Sequence, residues 1–531
     1  MREIESHKFD QFLDLLHEEK IISDRKKIVV LNNIHLIEVK PQDWKRLASQ
    51  THSVGFRWAV IWAKEASKNS IQVTVGLELS GQYLFLRTTI AGEKPEIYSW
   101  SVYYPAANRP ERHLHDMFGV TFVDHIDARR WTRHQAWSKE QFPLRKNFDE
   151  LSKPLSVTPP DVDYPCIAIE GTDICEVPVG PVHAGIIEPG HFRFQIAGED
   201  VFSLEERLGY VHKGIEKLAE GKNVEELIYL SGRVSGDSTV SHAWAACQAS
   251  ESAANITVPN RALFIRAIMA ERERIANHLG DIGAICNDVG FAFAFYQFGR
   301  LRELWQRTNE KIFGHRFMMD CLIFGGVKND LSNQSIQSMR EEIDQLHEEI
   351  HELSIILKRN GVLQDRLRTT GILKPDTAEK IGALGYVGRA SGINYDVRRD
   401  ASYPPYDAVK VHVPLLSHGD VAERLKVRER EIIVSLKLLE DFLNKLPETE
   451  IISSQKAVLK DREGIGIIEG WRGEIITYVS FDSRGFVNRF FPRDPSWLIW
   501  PALEHLIQEN IVPDFPVCNK SVNGSYSGHD L

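Results

Sequence analysis

The stretch Ser152-Lys153-Pro154-Leu155-Ser156-Val157-Thr158-Pro159-Pro160, a linker by composition, constrains this chain most, because the hydrophobic period changes across it. Before it, Lys27–Leu31, Gln72–Leu79, Tyr83–Ile90 and Glu96–Tyr104 are short runs of β-branched and aromatic residues. Gly81-Gln82 separates the middle two as a hairpin turn would. A polar, Arg- and His-rich segment then runs to about Phe148. After the break the period becomes helical. Ser203-Leu204-Glu205-Glu206 reads as a capping box, followed by Leu204, Leu208, Val211, Ile215 and Leu218 on one predicted stripe. Ile336, Met339, Ile343, Leu346, Ile350, Leu353 and Leu357 predict a longer helix ended by Asn360-Gly361, and Val421–Leu446 predicts a third. The expected fold is α+β. Residues 1–150 form a small α/β domain with an antiparallel sheet, 151–165 the linker, and 166–531 a mainly helical bundle with peripheral strands.

A chain of 531 residues exceeds what one hydrophobic core supports, so about two to four domains are expected. The formal charge of -10 argues against nucleic acid as a partner, for which a basic face is the usual footprint. No run approaches the roughly 20 apolar residues of a membrane-spanning helix. The most apolar short stretch, Val289–Phe298, reads as a buried core helix. The first residues, Met1-Arg2-Glu3-Ile4-Glu5, carry no apolar signal region, so a cytoplasmic chain reaching membranes through partners is expected. The six cysteines contain no Cys-x-x-Cys pair, which favours buried structural thiols over disulfides or a cluster site. Gly464-Ile465-Gly466 is followed by Ile467-Ile468-Glu469-Gly470, the wrong spacing for a dinucleotide loop.

Local strings go further. Pro110-Glu111-Arg112, Asp116-Met117-Phe118-Gly119, Asp127-Ala128-Arg129-Arg130 and Pro143–Phe148 resemble the signature of the complex I subunit that docks beside the quinone-side large subunit. His113 stands where that family usually has glutamate. His113 and His115 read as part of a docking surface. Past the linker, Gly180-Pro181-Val182-His183, Val211–Lys217, Arg274–His278, Gly388–Gly392, Asp396–Asp400 and Arg472-Gly473-Glu474 resemble the large subunit shared by complex I and formate hydrogenlyase-type nickel–iron hydrogenases. The resemblance covers about residues 30 to 531.

The resemblance implies an oxidoreductase-family subunit, with NAD entering only through the complex. It also implies partners: a small iron–sulfur subunit holding the clusters, antiporter-like and other membrane subunits, and a peripheral place on the cytoplasmic face of the membrane. At the metal site the sequence departs from the family. The four cysteines that would hold nickel and iron are replaced by Ser235, Ser238, Ser496 and Ile499. A hydroxyl is a poor substitute for a soft thiolate, and isoleucine ligates nothing. No cofactor bound by this chain is therefore expected, though quinone stays open as a ligand.

The quinone branch's histidine and tyrosine are also gone, at Ile187 and Gly236. Asp288 stands at the position of the complex I cavity aspartate, and His183 keeps its place. Arg472 matches the arginine that contacts the diatomic ligands of iron in hydrogenases. Asp288, His183 and Arg472 are thus the candidate catalytic residues, with Arg233, Asp237 and Asp494 lining a remnant cavity. Arg472 is expected to pair with Asp494, Asp288 or Glu188. The tail around Asp514-Phe515-Pro516 and Asn519-Lys520-Ser521 is expected to be ordered against partners.

Overall fold

The computed structural model describes residues 2–21, 29–31, 34–134, 137–149, 164–184 and 187–531. Most of the 151–165 linker lies outside the described residues. The first half contains α1 (Arg2–Glu18), β1 (Val29–Leu31), β2 (Ile34–Glu38), α2 (Trp44–Val54), β3 (Arg57–Ser67), β4 (Ser70–Leu79), β5 (Gln82–Ala91), β6 (Glu96–Tyr98), α3 (Asn108–Phe118) and β7 (Thr121–Val123). The sheet order is β1-β2-β5-β4-β3, antiparallel except that β2 runs parallel to β5. Only Glu96–Tyr98 of the expected fourth strand pairs, parallel to β7.

The second half opens with the sheet β8 (Ile174–Val179), β9 (His191–Ala197) and β10 (Asp200–Arg207). Here the expected helix from Ser203 gives way to a strand. Leu204 pairs with Phe194 and Arg207 with His191, and only Ile215–Leu218 (α4) is helical. A capping box does form further on, where Asn223 starts α5 (Val224–Ser231) and exchanges hydrogen bonds with Glu226. Helices α6 (Thr239–Ala254), α7 (Asn260–Asp288) and α8 (Ala292–Phe313) follow. Next come the small hairpin β11 (Leu322–Ile323) and β12 (Gly326–Val327), then α9 (Asn333–Arg359).

Four short helices, α10 (Gly361–Leu367), α11 (Pro375–Lys380), α12 (Gly385–Ala390) and α13 (Val397–Asp400), lead to α14 (Val421–Asn444). The expected stripe on α9 is buried from Met339 to Leu357, and α14 starts at Asp420, whose carboxylate accepts the Glu423 N–H. The chain ends with the antiparallel sheet β13 (Glu463–Gly470), β14 (Gly473–Phe481) and β15 (Val487–Arg493), then α15 (Ser496–Leu506), α16 (Phe515–Val522) and α17 (Tyr526–Asp530).

The Gly464-x-Gly466 pair serves packing. Added Cβ atoms would meet the Ala249 and Ala245 carbonyls at 2.0 and 2.1 Å, so glycine lets the alanine-rich α6 lie directly on β13. The first sheet is covered on both faces, by its own helices and by the second half. Trp62 stacks on Tyr478 at 4.8 Å, and Glu474 accepts hydrogen bonds from Arg57 (2.6 Å) and Arg493. The Glu111-Arg112-His113 string is correspondingly buried, not a docking surface: His113 Nε2 meets Glu216 Oε1 at 2.9 Å across the two halves.

Two other expectations change. Val289–Phe298 is not wholly core, since Phe293, Phe295 and Tyr296 are exposed on α8. The tail folds onto its own chain, with Val517, Cys518, Val522 and Leu531 buried. Among the described residues, no helix is long and apolar enough to cross a membrane.

Candidate functional site

Arg472 lies at the centre of a polar cluster because of where the backbone turns. Trp471-Arg472 is the two-residue loop between β13 and β14, closed by the pairing of Gly470 with Gly473. Gly473 has φ 133°, and a Cβ on Gly385 would meet the Arg472 carbonyl at 1.9 Å, so glycine is required at both. The guanidinium is 3% exposed. It forms a two-pronged pair with Asp237, both contacts 2.6 Å. Nη1 also donates to Ser238 Oγ at 3.1 Å, Nε donates to the Asn523 carbonyl at 2.7 Å, and the group rests 4.0 Å from the Trp471 ring.

Three serines surround this pair. Ser235 Oγ donates to Asp237 Oδ1 at 2.8 Å and meets Ser525 Oγ at 2.8 Å. Ser238 Oγ accepts from Trp471 Nε1 at 3.0 Å, and Ser496 Oγ accepts the Ser525 N–H at 2.8 Å. The three positions converge through Asp237 and Ser525. Ile499, one turn beyond Ser496 on α15, is buried in the hydrophobic core.

The expected partners of Arg472 are engaged elsewhere. Asp494 accepts from His242 Nε2 and from the Ser496 N–H, both at 2.8 Å, and Glu188 accepts the Ser527 N–H at 3.0 Å. Asp288 is exposed at the C-terminal end of α7, seven residues or about 10 Å along the helix from Asp281. Asp281 is the α7 carboxylate that joins the cluster. It accepts from Asn523 Nδ2 at 2.8 Å and pairs with Arg428 and Lys520 at 3.1 and 3.2 Å. Arg233 turns away, pairing with Asp320 and lying 3.6 Å from the Tyr229 ring. His183 donates from Nε2 to the Gly190 carbonyl at 2.8 Å, beside Phe192.

Electrostatics follow from this pairing. Burial alone would raise the Asp237 pKa, but the charge and hydrogen bonds of Arg472 outweigh it and hold the carboxyl below its ordinary value. Asp494 is likewise held down, burial being outweighed by His242 and Arg472. Asp281 falls to about 2, with Lys520 and Arg428 overcoming its burial. Glu273 on α7 behaves oppositely: burial pushes it to about 8 despite hydrogen bonds from Ser241 and Val240, and Asp237 adds repulsion.

Sequence reasoning does not reach Asp281, Glu273, His242, Asn523 or Ser525. Asp281 and Glu273 flank the Arg274–His278 string, and that adjacency is the signal available for them.

A nickel–iron centre needs four thiolates here, and the four positions present three hydroxyls and an aliphatic side chain. The hydroxyls are already hydrogen-bonded to one another's neighbours, and a guanidinium–carboxylate pair fills the space between two of them. This donor set does not fit the group. Among the described residues, no three His, Cys, Asp or Glu side chains are placed to hold a metal ion.

Three families of known proteins match stretches of this chain. Residues 37–154 match the family described as respiratory-chain NADH dehydrogenase, 30 Kd subunit, and 288–466 match its 49 Kd subunit. Residues 213–280 match nickel-dependent hydrogenase. The chain belongs to the family of complex I-like, nickel–iron hydrogenase-related large subunits, with the 30 and 49 kDa-type regions joined in one polypeptide.

Formate hydrogenlyase subunit 5 of Escherichia coli (strain K12) is 32% identical over 450 residues, 84% of this chain and 79% of that protein. An NADH-quinone oxidoreductase subunit of Phocaeicola vulgatus is 31% identical over 410 residues, covering 74% of this chain and 78% of that protein. A chain of the membrane-bound sulfane sulfur reductase, an archaeal respiratory membrane complex, superposes with a TM-score of 0.64 at 25% identity, covering 68% of this chain and 99% of that one. The relatives are thus subunits of oxidoreductase complexes of the NADH dehydrogenase and hydrogenase type.

Proposed function

We propose that this chain is the large subunit in the peripheral arm of a membrane-bound, complex I-like respiratory complex, and that it works without a nickel–iron centre of its own. The observation that carries this reading is the Arg472–Asp237 pair, which fills the ground between Ser235 and Ser238 where thiolates would hold metal. The same positions form a buried polar cluster, and because a buried ion pair is often no more stabilising than apolar side chains of the same volume, keeping one here supports a use beyond stability. A small iron–sulfur subunit would bring electrons to it, since this chain has no Cys-x-x-Cys motif. Antiporter-like and other membrane subunits would provide the membrane link on the cytoplasmic face. A structural relative belongs to a complex named for reducing sulfane sulfur, which supports a role for this fold outside hydrogen chemistry.

Arg472 brings positive charge to the cluster, with its N–H groups held by Asp237, Ser238 and the Asn523 carbonyl, and the Trp471 ring lies against it. Quinone reduction by His183 and Asp288 has less support, because the first is tied to a backbone carbonyl and the second lies beyond Asp281 on the open end of α7.

The test is purification from native membranes. The chain should come down with an iron–sulfur subunit and membrane subunits, and recovery without either counts against the reading. Arg472→Met should leave the complex assembled and abolish its turnover. If turnover survives and only stability falls, the chain is a scaffold linking electron transfer to ion movement.

A further inference from the structure

We propose that Glu273 is the group through which this pocket exchanges protons with solvent, by way of the crevice between the Gly236–Ser238 turn, α7 and α8. Glu273 projects from α7 and accepts from the Val240 and Ser241 N–H groups at 2.7 and 3.1 Å, and from Ser241 Oγ. Those N–H groups belong to the first turn of α6, where donors lack partners within the helix. Among the described residues, no Lys, Arg or His forms an ion pair with this carboxyl.

The charges around it are otherwise committed. Asp237, from the Gly236–Ser238 turn, is paired with Arg472 of the β13–β14 loop. His242 on α6 is bound to Asp494. Arg274, next on α7, is bound to Glu271 and to the Gly470 carbonyl. Arg316, in the loop after α8, donates to Glu303 at 2.5 Å and to Gln306 at 3.0 Å. Glu273 is thus a buried acid with hydrogen-bond donors and no counter-charge, the setting in which a carboxyl holds its proton near neutral pH.

Geometry supplies the route. A crevice lined by Gly236, Asp237, Glu273, Asn277, Gln306 and Arg316 has a volume of about 10 Å³, the scale of a single water molecule. It reaches the surface beside the exposed Gly236 and Phe317. Its inner wall adjoins the Arg472 cluster, because Asp237 belongs to both, and Asn277 Nδ2 braces that wall by donating to the Asp237 carbonyl at 2.7 Å and to the Glu273 carbonyl at 2.9 Å. The step is one proton transfer: a hydronium ion in the crevice gives a proton to a Glu273 carboxylate oxygen and leaves as water, one O–H bond breaking as another forms, and the negative charge beside Asp237 disappears. The inference deepens the redox reading by giving its pocket a proton source, and it rests on that reading for its purpose.

The experiment is infrared titration of the whole protein, wild type and Glu273→Gln, in H2O and D2O. The wild type should carry a carboxylic acid C=O band that titrates near pH 8, moves in D2O and is missing from Glu273→Gln. Gly236→Leu is the second variant. A Cβ at Gly236 meets nothing within 4 Å, so the fold tolerates it, and the larger side chain covers the crevice mouth. It should slow the D2O shift of the band without removing it. A band absent at pH 7, or one unaffected by Glu273→Gln, overturns the proposal. So does deuterium exchange equally fast in Gly236→Leu, which would separate the carboxyl from the crevice. Neither metal content nor partner recovery enters this readout, so its failure is distinct from failure of the redox reading.

Discussion

Two polar clusters face each other across α7, and they differ in how completely they are closed. In the first, Arg274, Arg389 and Arg398 meet Glu271, Asp396, Glu431 and Glu469, and none of the seven is more than 2% exposed. Arg398 reaches Glu271 at 3.0 Å and Asp396 at 2.7 Å, Arg389 reaches Glu431 at 2.8 Å and Glu469 at 3.0 Å, and His278 meets Glu431 at 2.7 Å. Ser435 and Tyr406 hydroxyls complete Glu271, both at 2.6 Å. In the second cluster, Asp237 is about a third exposed, Glu273 has no counter-charge, and a crevice opens to solvent. A sealed network of this kind ties α7, α14 and the β13 edge into one arrangement. An open one can exchange ions and ligands, because only there does a change of charge cost little reorganisation of the core.

The sharpest way to break this contrast is in the sealed cluster. Glu271→Ala strands Arg398 and Arg274 without their shared partner, and removing one member of a buried pair costs about 3–5 kcal/mol. Denaturant unfolding should show that loss, and a change below about 1 kcal/mol would mean the network is not closed in solution. Arg472→Met should cost less, about 2 kcal/mol, because solvent reaches the stranded Asp237. Equal losses in the two variants would erase the distinction.

A smaller effect is read on the acid side. Asp281 is held at about 2, below its ordinary 3.8, so it adds stability above pH 3.8 that is lost as pH falls toward 2. Asp281→Asn should flatten the stability profile over that window and leave its shape near pH 7 unchanged. Glu273 has the opposite sign. Its folded pKa is raised, so the stability of the wild type should decline between about pH 4.5 and pH 8, and Glu273→Gln should remove that decline.

The α+β class and the helices α9 and α14 were legible because a long 3.6-residue stripe has one interpretation. The Ser203 segment was not. Leu204 and Leu208 fit a helical spacing, but backbone pairing with β9 after the turn at Gly198-Glu199 placed Leu204 on a strand that ends at Arg207, just before Leu208, with a bulge between Val201 and Ser203. The convergence of Ser235, Ser238 and Ser496 was implied by the family resemblance, whose ligand positions they occupy. The partner of Arg472 could not, because Asp237 lies 235 positions away and competes with Asp494, which His242 claims. Asp288 was misleading for a related reason: its register on α7 carries it two turns past Asp281, beyond the reach of the pocket.

In the proposed function, Ser235, Ser238, Ser496 and Ile499 stand where a nickel–iron centre would be held, and the chain works without one. Elemental analysis of the protein purified from nickel-supplemented cells tests it directly. The wild type should carry no stoichiometric nickel, because Ser235, Ser238, Ser496 and Ile499 cannot supply the thiolates and the Arg472–Asp237 pair bonds both Ser235 and Ser238. A content close to one nickel per chain, lost in Arg472→Met or Ser235→Ala, would contradict it.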